Sequence, residues 1–308
     1  MTIRHVRVVK IRLRRWALLA GFTLLASCSM LPLAYNNADV LVRLRVQEHF
    51  DLQGSQATDF STRLARFHQW HRAEELPQYA GLFLAAEKRV ANGLTAEDVH
   101  WATQALRERY RAMMRHVAEE SAPVLVTLAP AQLTHLEKEF AEDNQKFIKA
   151  QHLGESEERQ LRFRIKGMRK QFDEWFGRLT PEQDAQIVAM VTASKPLGKL
   201  RLEERKQTQQ RFLALLRNHR KADGLAPALR DMLENIESQR TPAFAQAMQD
   251  AELRLTQLLL DLDKTLTASQ RAHVKQRFAS FAVDFQTLAK KGKIPVDRSA
   301  ALDWDMAW

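Results

Sequence analysis

The chain has 308 residues, 45% of them hydrophobic, with 10 glycines, 9 prolines, a single cysteine and a formal charge of +10. That length and apolar content support a buried core and exclude a disordered polymer. One thiol excludes an internal disulfide, and so few glycines leave little material for phosphate-cradling or cofactor loops.

Residues 1–27 carry Arg4, Arg7, Lys10, Arg12, Arg14 and Arg15 and no acid, then an apolar run from Trp16 to Ala26 and a small residue at Ser27. A basic start, a short apolar stretch and a small-residue site are the parts of a secretory signal. The run is too short for a bilayer span of about 20 residues, so export and cleavage are expected. Cys28 follows in "LASC", an arrangement that resembles the lipobox of bacterial lipoproteins, whose cysteine receives the lipid and becomes the new N-terminus. Two or three acyl chains on Cys28 would hold the protein on a membrane, and Ser29 in the next position resembles the outer-membrane sorting pattern. The expected division is a signal peptide at 1–27, a lipidated tether at 28–37, an all-helical domain at 38–292 with a possible seam near 152–156, and a tail at 293–308.

Removing residues 1–27 leaves 41 basic against 37 acidic side chains, which dissolves most of the nucleic-acid signal, and no nucleic-acid partner is expected. The remaining excess gathers in residues 161–221, with 15 Lys/Arg against 6 Asp/Glu. Arg162, Arg164, Lys166, Arg169 and Lys170 are its candidate contacts for an anionic envelope component or an acidic protein; the plainer reading is a solvated helix face.

Beyond Asn37 nearly every segment repeats at helical period. Leu161, Ile165, Met168, Phe172 and Trp175, and later Val274, Phe278, Phe281, Phe285 and Leu288, each follow steps of three and four on one stripe. No run alternates like a strand. The fold expected is all-α: roughly nine antiparallel helices in one elongated bundle or array, without a sheet. Breaks fall at Asn92-Gly93 with Thr95 as the next cap, between the flanking prolines Pro123 and Pro130, at Gly154, between Asn218 and Gly224, at Pro242 and at Lys291-Gly292.

Three segments share a pattern: "LAPAQ" at 128–132, "LTPEQ" at 179–183 and "LTASQ" at 266–270. In the last two, Thr180 with Gln183 and Thr267 with Gln270 form capping boxes, threonine bonding the N3 amide and glutamine reaching back to the cap amide. The same residues resemble the Leu-Thr-x-x-Gln motif of small helical periplasmic stress chaperones, which implies a holdase as an alternative function.

Candidate chemistry is sparse. His68 and His71 lie three apart and Glu75 four further on, so one helix face would collect three metal-ligand types. Yet the stripe Phe60, Leu64, Phe67 also runs onto His71, placing it at a core edge. A metal-dependent enzyme is therefore the second alternative, and neither a metal nor any other cofactor is expected. Glu97-x-x-His100 has the di-iron spacing but no second copy. Pro77 disfavours helix at Leu76, so a helix through "FHQWHR" should end or kink there, with Tyr79 and Leu82 packing back on Trp70. Trp70, Trp101 and Trp175 fit helix stripes, whereas Trp304 and Trp308 lie in the polar tail and either dock on the body or form an exposed anchor.

The lipobox, "YNNAD" (35–39), "WHR" (70–72) and "ELPQYA" (75–80) together resemble a family of uncharacterised outer-membrane lipoproteins of Gram-negative bacteria, built on a domain of unknown function. The resemblance implies an all-helical, lipid-anchored periplasmic protein and brings no catalytic residues. The expectation is thus a non-enzymatic binding or scaffold module, held on the outer membrane through Cys28 and facing the periplasm, whose basic middle and helix grooves meet a protein or an anionic envelope component.

Overall fold

A computed structural model describes residues 30–219 and 221–290. Eleven α-helices follow in chain order: α1 (Met30–Phe50), α2 (Ser55–Trp70), α3 (Leu76–Val90), α4 (Ala96–Leu125), α5 (Pro130–Ala150), α6 (Glu157–Phe176), α7 (Pro181–Ala193), α8 (Gly198–Asn218), α9 (Ala222–Glu234), α10 (Pro242–Lys264) and α11 (Ala268–Lys290). A π-turn at His71–Glu75 joins α2 to α3, so these two count as one continuous helix and the total is ten, close to the roughly nine expected. No strand occurs among the described residues; the fold is all-α with bundle-like packing.

Helix starts follow local chemistry. Thr95 accepts from the Asp98 amide while the Asp98 carboxylate accepts from the Thr95 amide, closing a capping box. Prolines open α5, α7 and α10 at positions whose N–H has no helical partner. Gly177 stops α6 with a φ of 76°, a backbone region that side-chain-bearing residues rarely enter. The expected stop at Lys291-Gly292 and the tail at 293–308 lie outside the described residues; α11 is helical through Lys290.

The recurring Leu-x-x-x-Gln segments turn out to be one joint used twice. A fourth copy, "LQGSQ" at 52–56, separates α1 from α2 and pairs with residues 128–132 between α4 and α5. Residues 179–183, between α6 and α7, pair in the same way with residues 266–270, between α10 and α11. In every copy the glutamine Oε1 accepts from the amide three residues before it, at 2.9–3.0 Å. Each Nε2 donates across to the carbonyl five residues before the partner glutamine: Gln56 to Thr127 (2.8 Å), Gln132 to Asp51 (2.8 Å), Gln183 to Thr265 (3.1 Å) and Gln270 to Arg178 (2.9 Å). The chain therefore contains an internal structural repeat of helix, joint and helix.

Each joint sits on a core. Leu52, Ala122, Val124, Leu128, Leu133, Leu136, Leu213, Leu216 and Leu225 surround the first; Phe172, Phe176, Ile187, Val191, Leu258, Leu262 and Val274 surround the second. Both cores draw on elements from each side of residues 152–156: α9 packs on α4, and α3 packs on α11. Phe83 touches Phe278, Phe281 and Phe285 at 5.2–5.9 Å between ring centres, so the predicted aromatic stripe of α11 is the face that meets α3.

Candidate functional site at the π-turn

The segments "YNNAD", "WHR" and "ELPQYA", separate in sequence, meet around the π-turn. Pro77 dictates the turn: its ring would collide with the Ala73 carbonyl in a regular helix, and it has no amide to bond that carbonyl. The backbone widens instead. Leu76 N–H bonds the His71 carbonyl, five residues back, and Leu76 keeps helical angles of −59° and −38°. The helix expected to end or kink before Pro77 continues, because one wide turn absorbs the clash at lower cost than breaking a packed helix.

Widening the turn separates the residues that ordinary helical spacing would align. His71 faces α1, where Nδ1 shares a hydrogen bond of 3.0 Å with the Tyr35 hydroxyl. The Tyr35 ring stacks on His68 at 4.8 Å and on His71 at 5.7 Å. Glu75 turns to α4, where Oε1 lies 3.4 Å from Arg109 Nη1. Only 4% of Glu75 is exposed, and its Oε2 is buried without a hydrogen bond. His68, His71 and Glu75 thus do not converge, and no group of three His, Cys, Asp or Glu is placed to hold a metal ion among the described residues.

Arg72 locks three elements together. Nη1 donates to the Leu288 carbonyl at the end of α11 (2.7 Å) and Nη2 to Asn36 Oδ1 on α1 (3.0 Å), while the guanidinium lies 5.0 Å from the Tyr35 ring centre. Asn36 and Asp39 are buried on the same face of α1, and Asp39 pairs with Arg43 at 2.9 Å. Tyr79 completes the wall by packing on His71 and Phe285, while Trp70, its expected partner, stacks on His116 at 3.5 Å.

Burial sets the protonation states. It lifts the Tyr35 hydroxyl to about 12, with Arg72 opposing and Tyr79 adding. It drives His71 down to about 4, and the charges of His68 and Arg72 push the same way. Near neutral pH the pair is a protonated tyrosine bonded to a neutral imidazole. Burial also raises Glu75, against the lowering pull of Arg109 and His116.

The basic middle is largely answered from within. Arg162 pairs with Glu158, Arg169 Nη2 reaches Asp184 Oδ2 at 2.6 Å, and Lys170 lies 4.0 Å from Glu174. Arg164 donates to the Val191 and Ser194 carbonyls, closing the end of α7. Lys166 lines an open groove of about 450 Å3 with Arg169, Lys170, Asp173 and Glu174. A second groove of about 420 Å3, between α4 and the α9–α10 connection, is lined by Leu106, Arg107, Tyr110, Arg111, Ile236 and Arg240 together with Glu234 and Glu237.

Thr180, Gln183, Thr267 and Gln270 are all at their joint, with both capping boxes closed. Cys28, Trp304 and Trp308 lie outside the described residues. Sequence reasoning missed Tyr35 and Asp143 as organising residues. Asp143, 6% exposed, gathers His49 Nε2 (2.9 Å), Arg45 (3.1 Å), Lys146 (3.4 Å) and Arg205 (3.6 Å). All but Lys146 are distant in sequence, so no local pattern marks it.

No curated protein and no solved structure matches the chain. Residues 48–245 match the family of unknown function DUF6279, a span that takes in "WHR", "ELPQYA", the first joint and the basic middle, and leaves "YNNAD" ahead of it. The chain is therefore a member of the DUF6279 family.

Proposed function

We propose that the protein is an outer-membrane lipoprotein, anchored through Cys28 and facing the periplasm, whose helical body is a binding or scaffold module and not a catalyst. The observation that carries this reading is how the most chemistry-rich cluster is used. Tyr35, His71, Arg72 and Glu75 are engaged in joining α1, the π-turn, α4 and the end of α11. A histidine held near pKa 4 is a poor proton acceptor at neutral pH, where catalytic groups work best with a pKa close to ambient. The α4 groove, by contrast, presents side chains suited to recognition, with arginines beside Leu106, Tyr110 and Ile236.

Labelling cells that express the full chain with radioactive palmitate tests the anchor. Label is expected in the wild-type protein and not in Cys28→Ala, which should accumulate as an unprocessed precursor. Normal maturation of Cys28→Ala would refute the lipoprotein reading. A photo-crosslinking residue in place of Arg111, activated in intact cells, tests the groove. One reproducible adduct that disappears in Arg107→Glu/Arg240→Glu is expected, and an adduct indifferent to those charges would refute the groove as the contact.

A further inference from the structure

Helix α1 turns several polar groups to the body and carries most of its exposed apolar side chains on the opposite face. Tyr35, Asn36, Asp39 and His49 are turned to the body, with Val46 and Phe50 packed on the first core. Outward it shows Met30 (53% exposed), Leu33 (43%), Val40 (45%), Leu41 (51%) and Leu44 (64%), while Val42 is exposed on another side of the helix. At 100° per residue the first five fall on an arc of about 100°. Asn37, within that arc, is the one polar interruption between Met30 and Leu44 and turns its amide onto the Leu33 carbonyl at 2.8 Å. Arg43 and Arg45, both exposed, flank the arc on its two sides.

From these observations we infer that the outward face of α1 is a membrane-contact surface that lies flat in the lipid headgroup region. This rests on the reading of Cys28 as the lipid attachment point. Met30 is two residues beyond Cys28, a leash of at most about 7 Å, so acyl chains in the bilayer would hold the start of α1 at its surface. The stripe begins at that end and spans Met30 to Leu44, about 21 Å. An apolar face with flanking arginines is the composition of a helix that lies in the interface plane. The five half-exposed side chains offer on the order of 500 Å2, within the patch size monomers tolerate and short of the ~800 Å2 per partner of a stable dimer. Area thus argues for a lipid surface reinforced by the anchor over a second copy of the chain.

Site-directed labelling tests this in the matured full chain. Cys28 is the only native thiol, and acylation consumes it, so Leu41→Cys, Leu44→Cys and the control Leu253→Cys, 64% exposed on α10, each take one polarity-sensitive fluorophore. In vesicles of phosphatidylethanolamine and phosphatidylglycerol doped with nitroxide lipid, the probes at 41 and 44 should be quenched several-fold more than the probe at 253. Exchanging both Leu33 and Leu44 for glutamate should lower partitioning by about tenfold for each leucine replaced. Equal quenching at all three positions, in protein whose mass shows acylated Cys28, would overturn the inference and leave the anchor standing. A mature chain without acyl mass would overturn the anchor instead; there, quenching at 41 and 44 on adding vesicles upholds the stripe, and its absence rejects it. Pyrene excimer at position 41 that grows with protein concentration without vesicles assigns the face to a second copy and overturns the inference.

Discussion

Gln183→Ala should be among the most damaging single substitutions in the chain. Gln183 is completely buried, and four hydrogen bonds satisfy its amide: Oε1 accepts from Thr180 N (3.0 Å) and Gln270 Nε2 (2.8 Å), and Nε2 donates to Thr265 O (3.1 Å) and Gln270 Oε1 (3.0 Å). Truncation strands the Thr180 amide and one side of the Gln270 amide. Water can reach the exposed Thr265, so two groups remain uncompensated. At about 1–3 kcal/mol for each buried group left unpaired, plus the void, the expected destabilisation is about 3–4 kcal/mol. The equivalent Gln56→Ala in the more open first joint should cost about 1 kcal/mol. Urea unfolding followed by circular dichroism gives each value. Because Gln183 and Gln270 satisfy each other, the double mutant should be little worse than either single one, with a coupling of about 3 kcal/mol. A destabilisation under about 1 kcal/mol for Gln183→Ala, or additivity within ~0.5 kcal/mol, would refute the view that the joint is a closed polar unit.

Other outcomes follow from the π-turn. His71 titrates near 4 in the folded chain against 6.5 ordinarily, so the unfolded chain takes up the proton first as pH drops. Stability should therefore decline from about pH 6.5 to about pH 4, by up to ~3 kcal/mol, and His71→Gln should flatten that part of the urea-midpoint profile. Glu75 titrates above its usual 4.5, so its penalty is absent below the unfolded pKa and complete once pH exceeds the folded one. Glu75→Gln should match or exceed wild-type stability at pH 7, with any advantage vanishing at pH 4; a marked decrease at pH 7 would show that Arg109 outweighs burial. Arg72→Lys keeps the charge but cannot bond Leu288 and Asn36 together. It should destabilise by about 1–2 kcal/mol and speed amide exchange in the last turn of α11, with α7 unaffected.

Elements governed by near neighbours were legible in the sequence. Thr95, Thr180 and Thr267 start helices because the groups they bond lie three residues away, and the stripes of α6 and α11 repeat at helical period whatever covers them. Pro77 was half legible: its clash with the preceding turn is local, but whether the helix breaks or widens depends on what the flanking turns gain by staying packed. Gln53 hid the fourth joint, since its side chain lacks the hydroxyl that marked Thr180 and Thr267; the Leu-x-x-x-Gln spacing alone would have found it.

The sequence by itself determined an all-helical chain, its main breaks and the residues worth watching. Only the tertiary structure decided what those residues do. Tyr35 meets His71 across 36 positions, Arg72 reaches Leu288 across 216, and Gln183 meets Gln270 across 87. The structure also showed that α1 turns its polar side inward, which no periodicity reveals, because a stripe gives the angle between faces and not which face is covered. The physical reason is range: caps and stripes are set by bonds within a turn or two of helix, whereas burial, protonation and pairing depend on which distant surface arrives to exclude water.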